Sequence, residues 1–364
     1  MRKLGSLTAL VCASAFVLAC GDDDGEATDT EGHDTDHHDT DHTSGMMTTM
    51  SMTTASMTDS SSGGGSTTDE GTTGDSTGDP DSSGGDSDSS GGSSGEQTQD
   101  VTLQFAARVG DEDAACGQTY PGVGAMGSEI ELRDLRFFVS EVHLVDGDGN
   151  ETEVMLEQDG TWQYENVALL DFEDGSAACS EQTTAETNTT VRGTVDAGNY
   201  VGIHFTVGVP FELNHLDVDA ADTEPPLNTP GMFWVWAAGR KFMRIDINTD
   251  EMPPDNAWNF HLGTQGCMAP SPMEPPEDVC TRPARVDVLL PTGFDPEVGA
   301  VVLDLEALYT DVDVTADTEM TASGCMSFMP DVNECQQIFP NLGLDWATGD
   351  CMDDCASQSI FSVE

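Results

Sequence analysis

From residue 100 onward, apolar side chains recur at every second position. Val101, Leu103, Phe105, Ala107 and Val109 form one such series, Val201, Ile203, Phe205 and Val207 a second, and Val301, Leu303 and Leu305 a third. A period of two puts alternate side chains on one face of a strand, whereas a helical face would repeat at about 3.6 residues. Clusters of turn-forming residues separate the series, among them Asp146-Gly-Asp-Gly-Asn150 and Pro225-Pro226. The pattern predicts a mainly β fold, an antiparallel β-sandwich with a small disulfide-rich C-terminal annex. Helix is confined to short connections and to that annex, where Cys335-Gln-Gln-Ile-Phe339 predicts one or two turns.

The chain begins with a different kind of segment. Met1-Arg2-Lys3 precedes an apolar run from Leu7 to Ala19, shorter than the roughly 20 residues a bilayer-spanning helix needs. Residues 1–19 therefore read as an export signal. Its end, Val17-Leu18-Ala19-Cys20, resembles the lipobox of bacterial lipoproteins, which makes Cys20 the expected acylated N-terminus and lipid anchor. Ordinary cleavage after Ala19, beside an incidental cysteine, is the alternative. Residues 20–99 are dominated by Ser, Thr, Gly and Asp, and no Lys or Arg occurs between Leu4 and Ala107. Such a composition cannot offset the entropy of ordering, and it predicts a disordered acidic tether. Residues 100–315 form the expected sandwich domain and 316–364 the annex. The expected location is extracytoplasmic, as a membrane-anchored lipoprotein in the periplasm or at the cell surface.

Charge narrows the function classes. With 68 acidic against 11 basic residues the formal charge is -57, so there is no basic patch for phosphates and no nucleic-acid partner is expected. Once Cys12 leaves with the signal and Cys20 takes lipid, eight cysteines remain: Cys116, Cys179, Cys267, Cys280, Cys325, Cys335, Cys351 and Cys355. An even number in an exported chain reads as four disulfides of undetermined connectivity. A zinc site on Cys351-Met-Asp-Asp-Cys355 is the sharper alternative. Gly122-Val-Gly-Ala-Met-Gly127 matches a dinucleotide fingerprint in letters only, because a strand and not a helix should follow it. Asp146, Asp148 and Asn150 lack the remaining ligands of a calcium loop and read as a hairpin turn. Zinc-protease and serine-hydrolase motifs do not occur, and no enzymatic activity is expected.

The informative stretch runs from His204 to Cys280. It holds His204, Asn214-His215, the run Met232-Phe-Trp-Val-Trp-Ala-Ala-Gly-Arg-Lys-Phe-Met-Arg-Ile-Asp246, and Asn259-Phe-His-Leu-Gly-Thr-Gln-Gly-Cys267. Read as strands, Trp234 and Trp236 share one face. Trp258, Phe260 and Leu262 share another, with Asn259 and His261 opposite. A Trp-x-Trp strand read by itself is a core element. The stretch, together with Asp134-Leu-Arg-Phe-Phe-Val-Ser-Glu-Val-His-Leu144, Leu169-Leu-Asp-Phe-Glu173, Gly208-Val-Pro-Phe211 and Gly239-Arg-Lys-Phe242, resembles the MbnP-like family of methanobactin-associated periplasmic copper-binding proteins, also described as the four-Cys partner of a "metallo-mystery pair". The likeness covers nearly all of the expected folded region.

The resemblance implies copper binding, with a secreted di-haem cytochrome c peroxidase of the MauG or MbnH kind as partner, oxidising one tryptophan to kynurenine. An indole nitrogen has no lone pair free for a metal, whereas the aromatic amine and ketone of kynurenine do, and neutral imidazoles suit copper. Carried over by position, the ligand candidates are His215 and His261, with His204 as a lesser one, and the oxidation candidates are Trp234 and Trp236. The family's four cysteines would be Cys116, Cys179, Cys267 and Cys280. Arg240 stands where an aromatic is common in that family. A weaker metal signal lies in the tether, where His33, His37, His38 and His42 precede Met46, Met47, Met50, Met52 and Met57. A metal-free structural or interaction lipoprotein remains the competing reading.

Overall fold

The computed structural model describes residues 97–180, 185–250, 256–328 and 331–364. The expected export signal, Cys20 and the expected His- and Met-bearing tether lie outside the described residues. The principal strands are β1 (Thr98–Val109), β2 (Ser128–Asp146), β3 (Val167–Asp171), β4 (Thr190–Asp196), β5 (Tyr200–Val207), β6 (Met243–Thr249), β7 (Ala257–Leu262), β8 (Val286–Leu290), β9 (Ala300–Asp304), β10 (Gly324–Cys325) and β11 (Phe361–Val363). Among the described residues three short α-helices join them, α1 (Phe211–Asn214), α2 (Leu305–Leu308) and α3 (Val332–Ile338).

Two sheets result. One has the order β11-β9-β1-β4, with Met155–Leu156 at its far edge, and the other has the order β8-β5-β2-β6-β7-β10, with β3 also paired to β2. Most pairings are antiparallel, as the alternating pattern predicts, but β1 with β9 and β7 with β10 run parallel, so both sheets are mixed. The expected strands form. Leu103 and Phe105 of β1 and Ile203, Phe205 and Val207 of β5 are buried. Their faces meet through edge-to-face rings, Phe105 with Phe205 at 5.6 Å and Phe205 with Phe361 at 5.4 Å. Such pairs lock the two layers in register as well as burying area.

Local departures have local causes. A register shift between Tyr200 and Gly202 turns Val201 outward, against the simple alternation. Leu305 stays buried although β9 ends before it, because the Asp304 carboxylate accepts the Glu306 N–H at 2.9 Å and starts α2. Gly122–Gly127 is the end of one short strand and a turn into β2. The Asp146 carboxylate accepts the N–H groups of Asp148 and Asn150, closing the hairpin turn as expected.

All eight cysteines pair, as Cys116–Cys179, Cys267–Cys280, Cys325–Cys335 and Cys351–Cys355. No free thiolate pair is left at 351 and 355 for zinc. By chain entropy, closing the 63-residue separation contributes about 4 kcal/mol and the 13-residue one about 3 kcal/mol. The cysteine-rich C-terminal segment is joined to both layers. It supplies β10 to one sheet and β11 to the other, and Cys325, Cys335, Ile338, Phe339 and Leu342 are continuous with the main core.

Candidate metal centre

Strand β7 carries out the alternation read from its sequence. Trp258, Phe260 and Leu262 are fully buried in the core, and Asn259 and His261 take the other face. On the neighbouring strand β6, Arg244 lies opposite His261 and Asp246 opposite Asn259. A row of charges therefore crosses three strands. Asp134 accepts from Arg136 Nε at 2.8 Å, Arg244 Nε lies 3.1 Å from Asp134 and 2.8 Å from Asp246, and Asp246 faces His261 Nε2 at 2.6 Å. Their side chains are nearly sealed from water, Arg136 at 2%, Asp246 at 4% and His261 at 6% exposure. Charges at such depth persist only when paired.

Burial alone would raise the Asp246 carboxyl, but His261 and Arg244 outweigh it and hold the group well below the usual carboxylate range. Burial holds the His261 imidazole below its ordinary value, although Asp246 opposes the shift. The pair is thus a carboxylate with a neutral imidazole that donates its Nε2 proton. Nδ1 then carries a lone pair, and it is buried with no hydrogen-bond partner. A buried orphan acceptor costs about 1–3 kcal/mol of desolvation. A histidine fixed by a carboxylate on one nitrogen, with the other left open, has the arrangement of a metal ligand and its supporting shell.

His215 lies just past the C-terminus of α1 and is 7% exposed. Its Nδ1 donates to the Trp236 carbonyl at 3.1 Å, and the Trp236 indole N–H donates back to the His215 carbonyl. Nε2 is left as the lone-pair nitrogen, 3.2 Å from the Asn214 amide nitrogen and 3.5 Å from Cys280 Sγ. Burial again keeps this imidazole below its ordinary value. His215, Cys267 and Cys280 bring three donor atoms within 4.8 Å of one another, with both sulfurs tied in a disulfide.

The two tryptophans do not lie on a strand. Residues 234–239 form a turn, in which Trp234 N–H donates to the Gly239 carbonyl and Gly239 N–H to the Val235 carbonyl. Gly239 sits at φ +74°, and a Cβ there would meet the Asn214 amide at 2.5 Å. The turn divides the indoles between the two histidines. Trp234 faces His261 at 6.5 Å and Phe328 at 5.1 Å between ring centroids, and it lies over Gly263, where a Cβ would meet the ring at 2.5 Å. Trp236 is locked to His215. Among the described residues no hydrogen bond or ring contact joins His215 to His261; each imidazole has its own indole neighbour, His215 at a loop station and His261 at a strand station.

His204 belongs to neither station. On β5 it is clamped between Glu151 at 2.8 Å and Asp287 at 2.6 Å, one carboxylate on each ring nitrogen. Burial opposes its charge, but the two carboxylates prevail and raise its value. An imidazole held as a cation has no lone pair to give a metal.

A similarity search places residues 98–327 in the family model MbnP. Among solved structures, MbnP from Methylosinus trichosporium matches at TM-score 0.62 and 34% identity, over 73% of this chain and 98% of that one. The chain belongs to the MbnP family. No curated protein matches. The family match ends two residues past β10, so Cys335, α3, the Cys351–Cys355 disulfide and β11 lie beyond it.

Two residues that build the surroundings of His261 and His215 carried no assigned role in the sequence, Asp246 and Arg240, the latter noted only as a departure from the family's common aromatic. Asp246 closes the run quoted from Met232 but had no assigned role. Its signal was the polar alternation Arg244, Asp246, Asn248 within an otherwise buried strand. Arg240 is wholly buried, and it donates to the carbonyls of Leu213, Asn214, Leu216 and Leu227. It caps α1 and holds the backbone that carries His215. Burial without a carboxylate partner pushes it down to about 10, still protonated at neutral pH.

Proposed function

We propose that this protein is an exported, lipid-anchored copper-binding protein that works in copper acquisition or sequestration and is not itself an enzyme. The reading is supported most by one observation, the buried His261 Nδ1 without a partner beside an indole. Its donor set fits copper: neutral imidazoles of borderline softness, and an aromatic side chain whose oxidation would add an amine and a ketone. His261 and the modified tryptophan would hold the ion, with His215 Nε2 as a further candidate donor. Bound copper would give the site a cation able to change oxidation state.

Trp234 is the preferred target of oxidation. The Trp236 indole N–H is committed to the His215 carbonyl, whereas Trp234 packs against His261. Conversion to kynurenine breaks the indole C2–C3 bond, releases C2 as formate, and leaves an aryl amine and a ketone. Water supplies the oxygen, and the electrons pass to peroxide at the haems of a secreted di-haem peroxidase. An acylated Cys20 would hold the chain at the membrane.

The test is co-expression with such a peroxidase, followed by metal analysis and peptide mass mapping. Copper bound in proportion to kynurenine on the peptide bearing Trp234, with loss of both in Trp234→Phe, is the expected result. Absence of copper and an unmodified peptide would leave the metal-free surface module as the better reading.

A further inference from the structure

We propose that Cys267, Cys280 and His215 form a redox-gated site for a thiophilic cation, Cu(I) or Zn(II), closed while the disulfide is intact and opened by its reduction. The inference rests on these three residues and needs neither His261 nor kynurenine.

Their spacing is that of a ligand set. His215 Nε2 lies 3.5 Å from Cys280 Sγ, and the nitrogen and sulfur ligands of a tetrahedral ion stand about 3.6 Å apart. The imidazole is oriented in advance, since Nδ1 donates to the Trp236 carbonyl and leaves Nε2 as the acceptor, beside the Cys280 sulfur and within 3.2 Å of the Asn214 amide that donates to it. The sulfurs must part to about 3.8 Å around a common ion, and the Asn214 amide must give up its contact with Nε2. The loop between them is built to allow it. It closes a sequence separation of 13, exposes Met268, Met273 and Val279, and borders an open cleft of about 420 Å³ that reaches Cys267 and Gly266. By contrast Cys179, Cys325 and Cys335 are sealed in the core, and no histidine neighbours Cys351–Cys355 among the described residues.

Reduction takes two electrons and two protons from a dithiol protein of the thioredoxin class, which becomes a disulfide as Cys267 and Cys280 become thiols. Metal binding then releases both thiol protons to solvent. The ion would meet two thiolates and one imidazole, a softer set than the imidazole station at His261.

The experiment uses the full chain, mildly reduced with a phosphine and then freed of it. Alkylation with mass mapping should find Cys267 and Cys280 labelled while Cys116 and Cys179 stay oxidised. Anaerobic titration with Co(II) should give one ion per chain with sulfur-to-cobalt charge-transfer absorption, and Cu(I) should displace it. The band should vanish in Cys267→Ser/Cys280→Ser, weaken at least tenfold in affinity in His215→Ala, and survive in Cys351→Ser/Cys355→Ser. Circular dichroism checks the fold of each variant, and Cys267→Ser alone repeats the test with one sulfur kept. His261→Ala should leave the band unchanged while removing copper from the oxidised, kynurenine-bearing form, which separates the two sites. No band after reduction, or a band that persists without Cys267 and Cys280, overturns the proposal.

Discussion

His215 and His261 are both buried and both neutral, yet the protein holds them by opposite means. His261 is on a strand in the middle of a sheet, and its partner is a side-chain charge, Asp246, itself held by Arg244. His215 is on an irregular segment after a one-turn helix, and its ring meets the Trp236 carbonyl, the Asn214 side-chain amide and a disulfide sulfur. The strand station is rigid because six cross-strand pairs between β6 and β7 fix it. The loop station has no ladder, so a buried guanidinium and a disulfide take that role. One histidine is thus built for constancy and the other sits where covalent chemistry can change its surroundings.

The largest effect is expected where the loop station has no substitute. Arg240→Met removes the donor to four carbonyls and should destabilise the fold by roughly 3–5 kcal/mol in urea unfolding. A loss under about 1 kcal/mol would mean that the loop holds itself. At the strand station, Asp246→Asn keeps the shape but weakens the hold on His261, and copper affinity of the oxidised, modified protein should fall about 10–100-fold. An unchanged affinity would place the metal elsewhere.

Gly263→Ala tests the boundary between the stations. The added Cβ meets the Trp234 ring at 2.5 Å and the Arg240 carbonyl at 2.9 Å, so overpacking should cost about 1–3 kcal/mol and shift Trp234 fluorescence. The smallest effect belongs to His204, outside both stations. Its value is raised above the ordinary 6.5 by Glu151 and Asp287 against the opposing burial. The stability it contributes is therefore complete below pH 6.5 and fades as pH climbs through the raised value. His204→Gln should cost about 0.5–1 kcal/mol at pH 5.5 and close to nothing at pH 9, the pair being partly solvent-screened. Equal costs at both pH values would show that shape, not charge, matters there.

Much of this molecule was legible in the residue pattern. Period-two alternation located β1, β5 and β7 and put His261 on the face opposite Trp258, because in a strand neighbouring side chains are obliged to point apart. Cysteine parity foretold four disulfides, and the ordered blocks around Asn214-His215 and Phe260-His261 foretold the family. Sequence by itself could not tell that Trp234 and Trp236 leave the strand pattern. Two short-range carbonyl contacts and the left-handed Gly239 decide that turn, and its depth depends on Asn214 arriving from another element. Nor could it choose among cysteine pairings or give Asp246 to His261, since each depends on how separate segments turn and pack in the folded chain. Alternation is a property of one strand and is written in it. A site is a property of several, and only their packing assembles it.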